Sequence, residues 1–118
     1  MKKLLTLTAI FEGTTGLALL IAPNFVVSFL LGTTVHEPVG IFMSRLPGVA
    51  LITLSIICWL YRNNEHHSSG IVKALLFYNS VSTVLLVIAS VNGFSGIGIW
   101  PAALLHVVLS GWCIKTLL

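Results

Sequence analysis

Residues 41–61, IFMSRLPGVALITLSIICWLY, contain only one charged side chain, Arg45. An α-helix needs about 20 mainly apolar residues to cross the hydrocarbon core of a bilayer. This stretch has that length and that character, so it predicts a transmembrane helix. Its length is the standard by which the other apolar stretches of the chain are judged.

The composition of the whole chain leads to the same class of protein. Of the 118 residues, 57% are hydrophobic and 8% are charged, and the mean hydropathy is +1.05. Such a chain has too little polar side-chain surface to cover a water-soluble domain. A soluble fold is therefore excluded, and several membrane spans leave no room for a second domain.

Three further apolar runs are long enough to cross a bilayer, over residues 4–22, 71–91 and 101–118. The first ends at Pro23, which cannot donate the backbone hydrogen bond that continues a helix. The last opens at Pro101, since proline suits a first helical turn. We expect an all-α integral membrane four-helix bundle that forms one domain over residues 1–118.

The connections differ in character. Residues 24–32, NFVVSFLLG, are apolar but too short to cross, and they predict an interfacial or partly re-entrant helix, with a longer kinked first helix as the alternative. Residues 62–70, RNNEHHSSG, are hydrophilic, and we expect a solvated loop there. Its Glu65, His66 and His67 are weak evidence for a metal site, because adjacent histidines lack a third ligand at fixed spacing.

The N-terminal segment also resembles a secretory signal, because Lys2 and Lys3 precede an apolar run. However, Glu12 interrupts that run, and no small-x-small cleavage site precedes Pro23. We therefore expect the first helix to be retained.

The basic residues predict the orientation, since Lys and Arg accumulate on the side that is not translocated. Four crossings place both termini and the loop between spans two and three on one face. Five of the six basic residues fall there: Lys2, Lys3, Arg62, Lys73 and Lys115. We expect both termini to be cytoplasmic. This topology accounts for the net charge of +3, and nothing in the pattern indicates a nucleic-acid partner.

Polar side chains inside the spans are the candidate functional residues, since hydrocarbon makes each one costly unless it faces the protein interior and finds a partner. Helical spacing gives every span one polar face. The residues on these faces are Thr8, Glu12, Thr15 and Gly16; Ser44, Arg45 and Gly48; Asn79, Ser82, Thr83, Leu86 and Ser90, with Tyr78 beside them; and His106, Ser110 and Cys113.

The depths of four of these residues predict a binding pocket. At about 1.5 Å of rise per residue, Glu12 and Asn79 lie roughly 12 Å from the inner boundary, with His106 higher and Arg45 near the outer boundary. We predict a polar pocket lined by Glu12, Arg45, Asn79 and His106 that opens toward the outer leaflet. Alternatively, Arg45 reaches lipid headgroups, and Asn79 joins helices.

Small residues predict close packing. Cys58 and Cys113 are too few and too separated for a metal or redox motif, and we interpret them as buried core residues. Two pairs at four-residue spacing predict close approach of helices: Ala9 with Gly13, and Ser44 with Gly48.

The layout of the chain resembles a known class. A first span with a polar residue at its middle, then GLALLIAP over residues 16–23, a short apolar segment and three further spans are similar to small bacterial four-helix membrane proteins that include the DoxX-like families. The resemblance covers most of the chain and rests on hydropathy and a few Gly and Pro positions. It implies a location in the bacterial inner membrane. Some members are associated with membrane quinone or thiol redox systems. This chain lacks a cysteine pair at redox spacing, and no residue role is carried over.

Three functions remain open. In the first, the pocket binds a lipophilic small molecule such as a quinone or lipid: Glu12 or His106 bonds a carbonyl or hydroxyl, and Arg45 meets an anionic headgroup. In the second, the chain is a structural or accessory subunit of a membrane complex or homo-oligomer. A proton-coupled carrier or membrane enzyme, with Glu12 titrating and His106 as relay, ranks last because no nucleophile–base set, phosphate loop or zinc signature is present.

Overall fold

The computed structural model describes residues 1–118 and contains five α-helices. They are α1 (Lys2–Ile21), α2 (Pro23–Leu31), α3 (Pro38–Tyr61), α4 (Glu65–Val91) and α5 (Ile99–Leu117). All except α2 are long and apolar enough to cross a membrane. The longest dimension of the molecule is 44 Å, close to the thickness of about 40–45 Å of a bilayer with its headgroup regions. The all-α class with four long apolar helices is confirmed.

A single non-helical residue separates α1 from α2. Ala22 has φ −133° and ψ 68°, and Pro23 occupies the first turn of α2, where its missing donor is not needed. The helix ends at Gly32, whose φ of 70° favours glycine. The apolar segment after the first span is therefore a separate short helix and not a kinked continuation of α1.

The start of α4 departs from the prediction. Residues 65–70 are helical, so the predicted loop over 62–70 is wrong for its second part, and the connection from α3 spans only 62–64. The Asn64 side chain caps the helix by accepting a hydrogen bond of 3.2 Å from the His67 backbone N–H, and Glu65 in the first turn suits the helix dipole. The other three predicted spans agree with α1, α3 and α5 to within three residues at each end.

The long helices pack as two pairs, α1 with α3 and α4 with α5, and contacts within a pair are more extensive than contacts between pairs. In the first pair the backbones touch. A Cβ built on Gly16 would lie 2.7 Å from the carbonyl oxygen of Gly48, and one built on Gly13 would lie 2.6 Å from Ser55 Oγ. The Ser55 hydroxyl donates to the carbonyl oxygen of Ala9 at 2.6 Å. The predicted close packing is therefore confirmed for Ala9, Gly13 and Gly48, whereas the Ser44 hydroxyl donates within α3 to the Gly40 carbonyl oxygen at 2.8 Å.

The hydrophobic core lies at the end of the molecule where α1 begins and α5 ends. All four long helices contribute to it, and both cysteines belong to it as completely buried free thiols. Their interpretation as core residues is confirmed. The buried members are Leu4, Leu5, Ala9, Cys58, Val72, Leu75, Leu109 and Cys113.

At the opposite end, α2 connects the two helix pairs. The backbone N–H of Gly98, just before α5, donates to the carbonyl oxygen of Phe29 at 2.8 Å. Asn24 fixes the segment that leads to α3, because its side chain accepts from the Val35 N–H at 2.8 Å and donates to the Val35 carbonyl at 2.9 Å. The end of the molecule opposite the core is thus held by backbone and amide hydrogen bonds.

Candidate functional site

Three buried polar side chains meet between the two helix pairs, on the α2 side of the hydrophobic core. Glu12 on α1 and Asn79 on α4 are each 1% exposed, and His106 on α5 is 8% exposed. Tyr78 lies next to them and is half-buried. We call these four residues the polar cluster. Glu12, Asn79 and His106 come from the polar faces that helical spacing predicts for their spans, and Tyr78 lies beside one of them.

Glu12 has one hydrogen-bond partner within the protein. The Tyr78 hydroxyl donates to Glu12 Oε2 at 3.2 Å. The other carboxyl oxygen, Oε1, is buried and has no partner. Buried polar atoms without a partner are uncommon, and each carries a desolvation cost. The carboxyl group is therefore only half satisfied by the protein.

Asn79 fixes the orientation of His106. Its side-chain amide donates to the carbonyl oxygen of Leu75 at 2.8 Å, so its Oδ1 faces His106 Nδ1, 2.7 Å away. An amide oxygen can only accept, and Nδ1 must therefore carry the hydrogen. In the neutral ring this leaves Nε2 as an acceptor.

Tyr78 links the two halves of the polar cluster. Its ring meets the His106 ring edge to face, with centroids 5.6 Å apart and an interplanar angle of 83°, while its hydroxyl reaches Glu12. The sequence placed Tyr78 beside the polar face but did not predict it as a site residue. A tyrosine inside an apolar span was nevertheless a signal, because a phenolic hydroxyl in hydrocarbon needs a partner.

Thr8, one turn before Glu12, contributes a second unpartnered atom. Its hydroxyl oxygen is buried without a hydrogen bond, like Glu12 Oε1. Threonine in a helix commonly donates to the carbonyl four residues earlier. Five other threonines do so here: Thr6, Thr14, Thr53, Thr83 and Thr116. One face of α1 therefore presents two buried polar atoms that the protein leaves unbonded.

Arg45 lies outside the polar cluster. The side chain is exposed on α3 and makes no hydrogen bond to Glu12. Because Gly16 faces Gly48 and Gly13 faces Ser55 across the two helices, Arg45 lies further from Glu12 along the helix axis than Gly48 does. The structure thus brings together Glu12, Asn79 and His106 of the predicted set and leaves Arg45 exposed outside it.

The polar cluster is closed, and its least covered side lies along α4 toward α2. The buried residues of α4 end at Asn79, and the polar residues beyond it, Ser82, Thr83 and Ser90, are half-buried. Two surface clefts, of about 360 and 220 Å³, are lined by other residues.

Comparison of the chain with models of protein families, with curated proteins and with solved structures found no match in any of the three. The resemblance of its layout to the DoxX-like class therefore stays a prediction. The function has to be argued from the polar cluster and its surroundings.

Proposed function

We propose that the chain is an integral protein of the bacterial cytoplasmic membrane, a four-helix bundle with both termini inside, whose polar cluster binds a lipophilic small molecule such as a quinone or lipid. The membrane part is supported by four long apolar helices and by the large apolar side chains that face outward along them. Ile10, Phe77 and Leu104 are 59%, 71% and 65% exposed. Such a surface suits hydrocarbon and is costly in water.

The distribution of charge supports the orientation. The end that holds the hydrophobic core also holds five of the six basic residues, at the start of α1, around the α3–α4 connection and at the end of α5. We call it the basic end. At this end the Arg62 guanidinium carbon lies 3.6 Å from the centroid of the Trp59 ring. Basic and aromatic residues together are typical of the cytoplasmic interface.

The observation that carries the binding proposal is the unpartnered Glu12 Oε1. Within a span, water cannot supply the missing hydrogen bond, and an ionisable residue there marks a functional site by default. A carbonyl or hydroxyl of a bound molecule would supply it. The apolar surroundings of the polar cluster favour a lipophilic molecule, which would arrive from the bilayer along the half-covered side of α4.

The test is to purify the protein in mild detergent and to identify bound molecules by extraction and mass spectrometry. We expect a stoichiometric lipid or quinone with the wild type and its loss with Glu12→Leu. Thr14→Val, on the exposed face of the same helix, is the matched control and should retain the molecule. Wild-type protein that carries no stoichiometric molecule would contradict the proposal.

A second candidate is a structural subunit of a membrane complex or homo-oligomer. It is favoured by a patch of small polar residues on the outside of the α4–α5 pair, where the Ser80 and Ser110 hydroxyl oxygens lie 3.5 Å apart and Gly111 is exposed with open space around it. Small residues on a lipid-facing surface are typical of contacts between membrane helices. Native mass spectrometry of wild type and Gly111→Leu tests it: a defined assembly that the substitution abolishes supports the subunit role, and a monomer in both contradicts it.

A further inference from the structure

The unpartnered atoms of the polar cluster restrict the chemistry of a bound group. The Thr8 hydroxyl can donate or accept. Glu12 Oε1 accepts when the carboxyl is ionised and donates when it carries the proton. Both atoms belong to one face of α1, four residues apart, and both are buried without a partner. A group that bonds to both of them therefore meets one donor and one acceptor, two acceptors, or, when Glu12 carries the proton, two donors.

A carbonyl oxygen and a hydroxyl group differ in how well they meet this demand. A carbonyl only accepts, so it can bond to both atoms only when Glu12 carries the proton, and it cannot satisfy the ionised Glu12 Oε1. A hydroxyl both donates and accepts, so it can donate to Glu12 and accept from Thr8, or accept from a protonated Glu12 and donate to Thr8. The hydrogen bond to Asn79 leaves Nε2 of the neutral His106 ring as an acceptor. This acceptor also favours a bound molecule that can donate a hydrogen bond.

We infer that the polar cluster recognises the hydroxyl group of a lipophilic molecule, held between Thr8 and Glu12, in preference to a carbonyl or an ether. This inference rests on the proposed binding function and specifies its ligand class. Three sources have the required chemistry: long-chain alcohols, acylglycerols and the reduced, dihydroxy form of a quinone. The oxidised quinone, which has only carbonyl oxygens at the same positions, is disfavoured.

The test compares pairs of molecules that differ only in this group, by native mass spectrometry in detergent. The first pair is 1,2-dioleoylglycerol and its 3-O-methyl ether, and the second is a decyl-substituted benzoquinone and its quinol under anaerobic conditions. We expect wild-type protein to bind the hydroxyl member of at least one pair about tenfold more tightly than its counterpart. Which pair responds distinguishes a glycerolipid source from a quinol.

The Thr8→Val variant tests whether the hydroxyl group of the bound molecule lies next to Thr8. It removes a buried unsatisfied group at nearly constant volume, so the variant should fold at least as stably as the wild type. We expect it to lose the preference within the pair that responds, while Thr14→Val keeps it. Equal affinities within both pairs would overturn the inference and leave the proposed function intact. A preference that survives in Thr8→Val would overturn the placement, and failure of all four molecules to bind would contradict the proposed function itself.

Discussion

Glu12 is the only acidic residue in the interior, and burial removes the water that would solvate its carboxyl group. Within the protein only the Tyr78 hydroxyl compensates that loss. The stability of the buried state of Glu12 therefore depends on a residue of another helix. The hydrogen bond from the Tyr78 hydroxyl to Glu12 therefore links α4 to α1, and removal of that one hydroxyl oxygen would break it.

Tyr78→Phe should lower the free energy of unfolding in detergent by about 1–3 kcal/mol, since both carboxyl oxygens of Glu12 would then be buried without a partner. The measurement is reversible unfolding followed by circular dichroism. Tyr61→Phe is the matched control: Tyr61 lies exposed at the end of α3, and its substitution should change stability by less than about 0.5 kcal/mol. Equal effects of the two substitutions would contradict the assigned role of Tyr78.

His106 should carry its hydrogen on Nδ1, because Asn79 Oδ1 accepts from that nitrogen. Nitrogen NMR of histidine-labelled protein distinguishes the two neutral tautomers directly. We expect the Nδ1–H pattern for one of the four histidines, and its loss in Asn79→Leu. The exposed histidines, His36, His66 and His67, act as internal controls. An Nε2–H pattern for His106 in the wild type would contradict the geometry.

The sequence predicted part of this site for a clear physical reason. Polar side chains in a membrane span turn inward, so Glu12, Asn79 and His106 could be placed together from helical spacing and rise alone. The bond from Tyr78 depends on how α4 is rotated relative to α1, which spacing does not determine. The position of Arg45 relative to Glu12 depends on the register between α1 and α3, in which Gly16 faces Gly48, and spacing within one helix does not determine that register.

At the scale of single helices, the ends were predictable where a residue type forces them. Pro23 separates α1 from α2, and Pro38 begins α3. The start of α4 was not predictable, because hydrophilic residues occur both in loops and in an exposed first helical turn. Only the cap formed by Asn64 distinguishes the two.

The α1–α3 pair depends on glycine because the two backbones are in contact. Gly16→Ala and Gly48→Ala each place a methyl group about 2.7 Å from a carbonyl oxygen of the facing helix, and we expect each to destabilise the protein by about 1–3 kcal/mol. Gly111→Ala is the control, since open space surrounds that position, and it should be neutral or slightly stabilising. The measurement is the unfolding midpoint in detergent. A Gly16→Ala protein as stable as Gly111→Ala would contradict the close crossing.

The whole molecule is asymmetric along its length. The core joins all four long helices at the basic end, whereas at the other end α2 connects the pairs mainly through backbone hydrogen bonds. The polar cluster lies between these regions, so it is sealed by packed side chains on one side and by a partly covered stretch of α4 on the other. This asymmetry favours approach of the proposed ligand from the α2 side, which the proposed orientation places toward the outer leaflet.

The orientation itself is a prediction at the scale of the whole molecule. Asn63 and Asn92 are exposed at opposite ends, Asn63 in the α3–α4 connection and Asn92 after α4. With both termini cytoplasmic, Asn92→Cys should react with a membrane-impermeant maleimide on intact spheroplasts, and Asn63→Cys only after lysis. The two native cysteines are completely buried, so unmodified protein is the matched control and should not be labelled in either condition. The reverse pattern would invert the orientation, and labelling of both variants on intact spheroplasts would contradict four crossings, because residues 63 and 92 would then lie on the same side of the membrane.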